Sequence, residues 1–346
     1  MRKKKVNVGT IGLGRIGKIH AANIAWMPQA NLISIAERKE AIDETRNFAR
    51  NWGNLKITEN YQEILNDREI DAVVISTPTD THSQIIIEAA RAGKHIFCEK
   101  PIDFTLARID KALKAVKEAG VKFQVGFNRR FDPNFVQIKQ AILDGKIGVP
   151  YSIHIVSRDP APPSLDYIKV SGGIFIDMTI HDFDMARFLI DLEVKEIFAF
   201  GAVMIDPNIG KIGDIDTALT VLRFKNGAIG TIDNSRRAVY GYDQRVEVFG
   251  SGGVIAAENQ TPCRTVLSDA EGIHSPKPLH FFTQRYQESY RREMEAFIDA
   301  IINDIQTPVA GSDGRAATVM ALAAQKSYRE QRIIKLSAAK GRDEKE

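Results

Sequence analysis

The chain has 346 residues, 44% of them hydrophobic, and its 47 basic and 44 acidic side chains leave a formal charge of +3. This length suggests two domains, each able to bury a sizeable core. The dispersed basic groups argue against a nucleic-acid partner, and no stretch approaches the roughly 18 uninterrupted apolar residues of a membrane span. Cys98 and Cys263 are the only cysteines, too few for a disulfide framework or a structural zinc site, so no metal is expected. No apolar run of signal-peptide type follows Arg2-Lys3-Lys4-Lys5, which reads as a solvated lead-in; a cytoplasmic location is expected.

Val6 to Ile11 is a short apolar run that enters Gly12-Leu13-Gly14-Arg15-Ile16-Gly17, and Lys18 to Ala25 continues in helical composition. A lone GxGxxG is weak evidence, but at a strand-to-helix turn each glycine has a reason. The first permits the turn, the second admits a pyrophosphate close to the backbone, and the third lets helix and strand pack closely. Asn31 to Ala36 reads as a second strand and delivers Glu37 about twenty residues after Gly17. A carboxylate there accepts both ribose hydroxyls of an adenosine, which favours NAD over NADP. Arg38 follows directly; it reads either as a partner for a 2′-phosphate, giving secondary NADP use, or as a solvated residue opening the next helix.

The alternation continues through a helix at Ile42 to Trp52, a strand at Lys56 to Thr58, a helix at Tyr61 to Asn66 and a strand at Ala72 to Ser76. The turn Thr77-Pro78-Thr79-Asp80-Thr81-His82 opens a helix through Ala92, and the strand His95 to Cys98 ends in Glu99-Lys100-Pro101. Both turns lie at the carboxyl ends of strands, where doubly wound sheets bind ligands. A helix at Phe104 to Ala119 and a strand at Lys122 to Gly126 complete a first domain expected over residues 1–125.

From Tyr151 the pattern changes to alternating runs: Tyr151 to Ser157, Val194 to Val203, Asp216 to Phe224, Ala228 to Asn234, Gln244 to Gly250 and Gly253 to Ala257. They predict an open, mostly antiparallel sheet within a second α/β domain over residues 126–340, closed by helices at Gln284 to Asn303 and Ser312 to Glu330. Such a sheet could serve as an oligomer interface. The last of these helices is expected to pack back on the first domain, and the charged tail from Lys340 to fray. Between the first two runs, GGIFIDMTIHDFDMAR places Asp177, His181 and Asp184 at i, i+4 and i+7, one polar face if the segment is a single helix.

GLGRIG at Gly12 to Gly17, CEKP at Cys98 to Pro101 and GGIFIDMTIHDFD at Gly172 to Asp184 together resemble the glucose–fructose oxidoreductase / inositol dehydrogenase family, and the likeness covers nearly the whole chain. The stretches GFNRRFD, SRDPAPPSLDYIKVSGG and IDNSRRAVYGYDQRVEVFG most resemble its bacterial inositol 2-dehydrogenases. The resemblance implies a Rossmann domain with a doubly wound parallel sheet, an α/β partner domain, and a homotetramer formed through the C-terminal sheets. It implies NAD-dependent oxidation of myo-inositol, or of scyllo-inositol, another polyol or a pyranose. A non-catalytic dinucleotide-binding sensor is the alternative from another class.

By the same resemblance Lys100, Asp177 and His181 are the catalytic set. His181 would be the base that takes the hydroxyl proton, and Lys100 would stabilise the charge developing on the oxygen. Asp177 would orient the imidazole or bind an adjacent hydroxyl. Arg130, Asp159, Asn234 and Tyr240 match positions lining a polyol pocket, although each also reads as an ordinary loop or strand residue. Thr77, Pro78, Thr79 and His82 match the turn near the nicotinamide ribose, with His82 itself a helix-start residue rather than a catalyst. Glu99 is expected to touch the cofactor ribose or to position Lys100. Glu37 stands where many NAD-using relatives carry Asp.

Overall fold

The computed structural model describes residues 5–53 and 55–336; Arg2-Lys3-Lys4 and the charged tail from Lys340 lie outside the described residues. The chain divides into two units. The first takes the residues up to Asn128 together with Glu288–Arg315, and the second takes Arg129–Gln287 with the residues from Ala316 onward. The second unit is therefore interrupted by a segment that returns to the first.

In the first unit, β1 (Val6–Ile11), β2 (Ala30–Ala36), β3 (Lys56–Thr58), β4 (Ala72–Ile75), β5 (His95–Glu99) and β6 (Phe123–Gly126) form a six-stranded sheet in the order β3-β2-β1-β4-β5-β6. Every adjacent pair is parallel. All four residues of β4 are buried, as expected of a strand covered on both faces by helices. Val6, Val8, Ala72, Val74 and Phe97 pack with Ile24 and Met27 and with Met294, Phe297 and Ile298 of the returning helix Gln287–Ile302. Each such large side chain contributes about 1.5–3 kcal/mol when fully buried, so the returning helix is part of this core. The order reverses between β1 and β4, and at that switch point β1 runs into the glycine turn and the helix Arg15–Ala25.

In the second unit, β7 (Pro150–Arg158), β8 (Val194–Ala202), β9 (Thr217–Phe224), β10 (Ile229–Ser235), β11 (Asp243–Gly250) and β12 (Gly253–Ala257) belong to a seven-stranded sheet. A separate hairpin pairs β13 (Leu267–Asp269) with β14 (Gly272–His274), and β15 (Ile334–Lys335) adds to the large sheet beside β8. The large sheet runs β12-β11-β7-β10-β9-β8-β15, and only its β7–β10 pair is parallel. Period-two alternation sorts its faces: Ile153, Ile155, Leu222, Ile232, Val246 and Val248 are buried, whereas Phe200, Leu219, Val221 and Phe249 are exposed. The strands of both sheets follow the sequence expectation to within a residue or two at most ends. The helix expected over Gln284 to Asn303 is split into Phe282–Arg285 and Gln287–Ile302.

The segment GGIFIDMTIHDFD is not the single helix its spacing suggested. Gly173 has φ +85°, Ile174–Asp177 forms one short helix, and Ile180–Ile190 forms the next. Between them the Thr179 amide reaches back five residues to the Ile174 carbonyl at 3.0 Å, a wide turn. The Thr179 hydroxyl fixes that turn by donating to Asn234 Oδ1 at 2.7 Å. The i, i+4, i+7 face is therefore broken. Asp184 is buried and bound to Arg130, while Asp177 and His181 remain partly exposed.

Candidate active site

The first unit supplies a cradle for a dinucleotide. Gly12 has φ +89°, and a Cβ there would lie 2.8 Å from the Ser76 carbonyl carbon and oxygen. A Cβ on Gly17 would come within 2.3 Å of the Gly12 carbonyl oxygen, whereas one on Gly14 would meet nothing within 4 Å. The turn is thus closed behind Gly12 and Gly17 and open in front of Gly14. The helix beginning at Arg15 has no side-chain cap and no acidic residue in its first turn, so its N-terminal amides and dipole are left to receive an anion. Arg15 and Ile16 form that first turn. These observations fit a pyrophosphate.

Glu37, at the end of β2, accepts from the Leu13 amide at 2.5 Å and through its other oxygen from the Arg38 amide at 2.8 Å. Its carboxylate is thereby fixed against the glycine turn and keeps lone pairs for ribose hydroxyls. The Arg38 side chain is exposed. On the neighbouring turns, Pro78 precedes the helix Thr79–Arg91, and the Thr77 and Thr81 hydroxyls are 2.6 Å apart. His82 is buried, with Nδ1 2.9 Å from the Pro101 carbonyl oxygen and Nε2 2.8 Å from that of Thr77. It ties together the two strand-end turns that flank Lys100. Burial lowers its pKa from the ordinary histidine value against the pull of both carbonyls.

In the second unit a group of acidic and hydroxyl side chains surrounds Asp177. Tyr167 donates to Asp177 Oδ1 at 2.8 Å, and the buried Arg236 reaches Asp177 Oδ2 at 3.2 Å and Asp214 Oδ2 at 3.4 Å. Asp214 Oδ1 also accepts from the Ile174 amide at 3.1 Å, which anchors the start of the short helix carrying Asp177. Asp159 follows β7, and its backbone is held by Ser235 and Ala238. Burial and the neighbouring Asp177 charge push the Asp159 carboxyl up to about 7, against the attraction of Arg236 and Arg129. Burial and Asp177 likewise raise the Tyr167 hydroxyl. Such a group offers both donors and acceptors near neutrality, as a polyhydroxylated ligand requires.

Two residues expected to line a polyol pocket are buried and engaged with other side chains. Arg130 is buried and bound bidentately by Asp184, with Nε–Oδ2 at 2.8 Å and Nη2–Oδ1 at 2.6 Å. Asn234 is fully buried; Oδ1 accepts from Thr179, and Nδ2 reaches the Ser157 carbonyl and Asp182 Oδ2. These contacts meet the need of a buried arginine or amide to satisfy its polar atoms locally. Tyr240 stands at the surface, donating to Asp243 at 2.5 Å and accepting from Arg158 at 3.1 Å. The sequence reading missed Tyr167, Arg236 and Asp214. Tyr167 and Arg236 lie inside stretches already quoted for their resemblance, but nothing in their spacing pairs them with Asp177.

A parallel sheet in the order 3-2-1-4-5-6, a glycine cradle at its switch point and a carboxylate at the end of β2 define a dinucleotide-binding oxidoreductase of the Rossmann class. Residues 6–127 match the model of an oxidoreductase family with an NAD-binding Rossmann fold, and residues 135–256 match the GFO/IDH/MocA C-terminal domain. The chain belongs to the GFO/IDH/MocA oxidoreductase family. It is 49% identical to the myo-inositol 2-dehydrogenase of Thermotoga maritima, over 97% of this chain and 100% of that protein. It is 48% identical to the inositol 2-dehydrogenase of Rhizobium meliloti, over 96% and 99% of the two chains. The scyllo-inositol dehydrogenase of Lactobacillus casei, solved with NAD(H) and scyllo-inositol bound, superposes with a TM-score of 0.89 at 31% identity, over 96% of this chain and 99% of that one. Among the described residues no helix is long and apolar enough to cross a membrane.

Proposed function

We propose that this protein is an NAD-dependent inositol 2-dehydrogenase that oxidises myo-inositol to 2-keto-myo-inositol, in the direction of inositol breakdown and in the cytoplasm. The observation that carries the reading is the acidic and hydroxyl group around Asp177, four residues before His181, in a chain that also holds a dinucleotide cradle. Gly12, Gly14, Arg15, Ile16 and Gly17 receive the pyrophosphate, and Glu37 accepts from the adenosine ribose and favours NAD over NADP. Bound NAD supplies the hydride acceptor. His181 takes the proton of the reacting hydroxyl, and Lys100 donates to the same oxygen as negative charge develops on it. Asp177, held by Tyr167 and Arg236, accepts from a neighbouring hydroxyl, and Asp159 binds the ring beside it. The solved relative with scyllo-inositol bound supports a second reading, the same chemistry on that stereoisomer. Initial rates of NAD and NADP reduction with myo-inositol, scyllo-inositol, chiro-inositol, glucose and xylose decide between them. Silence across the panel would leave a dinucleotide-binding sensor.

The raised Asp159 carboxyl gives a pH prediction. In the unfolded chain it titrates near 4, and in the folded one near 7, so between these values the folded state binds more protons. Its contribution is complete below about 4 and is lost as pH rises through about 7. Relative to Asp159→Asn, the parent should lose several degrees of Tm over that interval. Parallel melting profiles for the two proteins from pH 4 to 8 would refute this.

We infer a homotetramer assembled through the second unit's sheet. Supporting this, Phe200 and Leu219 are cross-strand partners on its exposed face, with Phe198 paired to Val221 beside them; contiguous exposed apolar surface of this kind marks an interface. The double variant Phe200→Glu, Leu219→Lys should elute at a smaller mass in light-scattering chromatography. A parent that runs as a monomer, or a variant with unchanged mass, would remove this interface.

A further inference from the structure

Behind the Glu99-Lys100-Pro101 turn lies a buried set of ionisable side chains from three elements of the first unit. His20, on the helix Arg15–Ala25, is fully buried, and its Nε2 stands 2.6 Å from Glu99 Oε1. The other carboxylate oxygen of Glu99 lies 3.3 Å from the Lys100 backbone amide. Glu99 therefore accepts on both oxygens, and His20 serves as the Nε2–H donor. Gly126, at the end of β6, makes room for this arrangement, since a Cβ there would come within 3.0 Å of Glu99 Cδ and both of its oxygens. The edges and faces of the His20 ring are enclosed by Phe97 and Tyr290, with centroids at 4.8 and 5.8 Å.

Glu293, on the returning helix Gln287–Ile302, completes the set. It is fully buried, its Oε1 lies 3.9 Å from His20 Nε2, and neither carboxyl oxygen has a hydrogen-bond partner among the described residues. A fully buried ionised carboxylate with no donor among the described residues is costly, so the group holds its proton. Burial and the Glu99 charge push this carboxyl well above the usual range. The ionisable groups facing it are His20 from the first helix and Glu99 from the end of β5, with the Tyr290 ring on its own helix packed against His20.

We propose that His20 is a positioning residue for Lys100 and that Glu293, held neutral, supports it by not competing with Glu99 for the His20 Nε2–H: His20 donates to Glu99, and Glu99 accepts from the Lys100 backbone amide. The main chain at Lys100 is then held by contacts that run from the first helix to the end of β5. This rests on the role proposed above for Lys100. A displaced reacting group costs rate rather than cofactor affinity, up to about a hundredfold for a shift near 1 Å.

The test uses the full-length protein. His20→Leu, which removes the donor at similar volume, should lower kcat by about tenfold to a hundredfold while the Kd for NADH stays within about threefold of the parent. His20→Gln, which returns an N–H donor at comparable reach, should recover most of that loss. Infrared spectra at pH 8 should show a carboxylic-acid C=O band that disappears in Glu293→Gln. A folded His20→Leu with parental kcat overturns the proposal, as does the lack of that band. His20 Nε2 and one oxygen each of Glu99 and Glu293 all lie within 4.8 Å of one another, so a stoichiometric divalent ion found by elemental analysis of the purified protein would equally overturn the protonated reading. The infrared band and NADH affinity are read without turnover, so they decide the proton arrangement separately from any failure of the inositol activity itself.

Discussion

Alanine in place of Lys100 or His181 is expected to reduce turnover with NAD and myo-inositol by at least about a hundredfold, the lower range for a positioned acid–base group. The two substitutions should differ in pH behaviour. With His181 removed, the proton of the substrate hydroxyl must go to water or hydroxide, so the residual rate should rise with pH. With Lys100 removed, the base remains and the shape of the profile on its acid side should persist. Circular dichroism and melting temperature check that each variant is folded, and initial rates of NAD reduction give the result. Two folded variants with parental turnover would disprove the assignment of both roles.

The second large effect is expected at Gly12. Alanine there must adopt φ +89° and place its Cβ 2.8 Å from the Ser76 backbone. The conformation alone costs about 1–3 kcal/mol, and the contact is with main chain that cannot rotate away. Gly12→Ala should therefore lower Tm by several degrees and weaken NADH binding by more than about tenfold, because the turn and the helix N-terminus move together. Gly14→Ala provides the contrast. Its Cβ meets no protein atom within 4 Å, so Tm should hold while NADH affinity falls, the added methyl group occupying the side from which the pyrophosphate approaches. Fluorescence titration with NADH and a thermal melt measure both quantities. Equal behaviour of the two variants would show that the open side of the turn is not where the cofactor lies.

Much of the fold could be read from local pattern. The apolar run Val6 to Ile11 is the first strand as expected, and the fully buried β4 follows from its uninterrupted Ala72-Val73-Val74-Ile75. The change to period-two alternation after Tyr151 anticipated the second sheet, because side chains in a strand alternate sides whatever the strand pairs with. The glycine turn was legible for a similar reason: a positive φ and a close backbone approach are demands on one residue, and only glycine meets them.

The sequence by itself determined the element types, the parallel first sheet and the dinucleotide turn. Each of these depends on residues adjacent in the chain or on a short repeating period. Only the tertiary structure decided that Arg130 is bound to Asp184, that Asn234 is bound to Thr179, and that Tyr167, Arg236 and Asp214 hold Asp177 and its helix. Only it interrupted the helix between Asp177 and His181 with a wide turn fixed by Thr179, and brought Glu293 back behind His20 and Glu99. The reason is the same in every case. The partner of a buried charge is set by which segments pack together, and Asp177 meets Arg236 across 59 positions of chain. Glu293 approaches a histidine on the first helix. No local period records such separations, because a buried charge is either paired or neutralised by whatever the packing brings beside it.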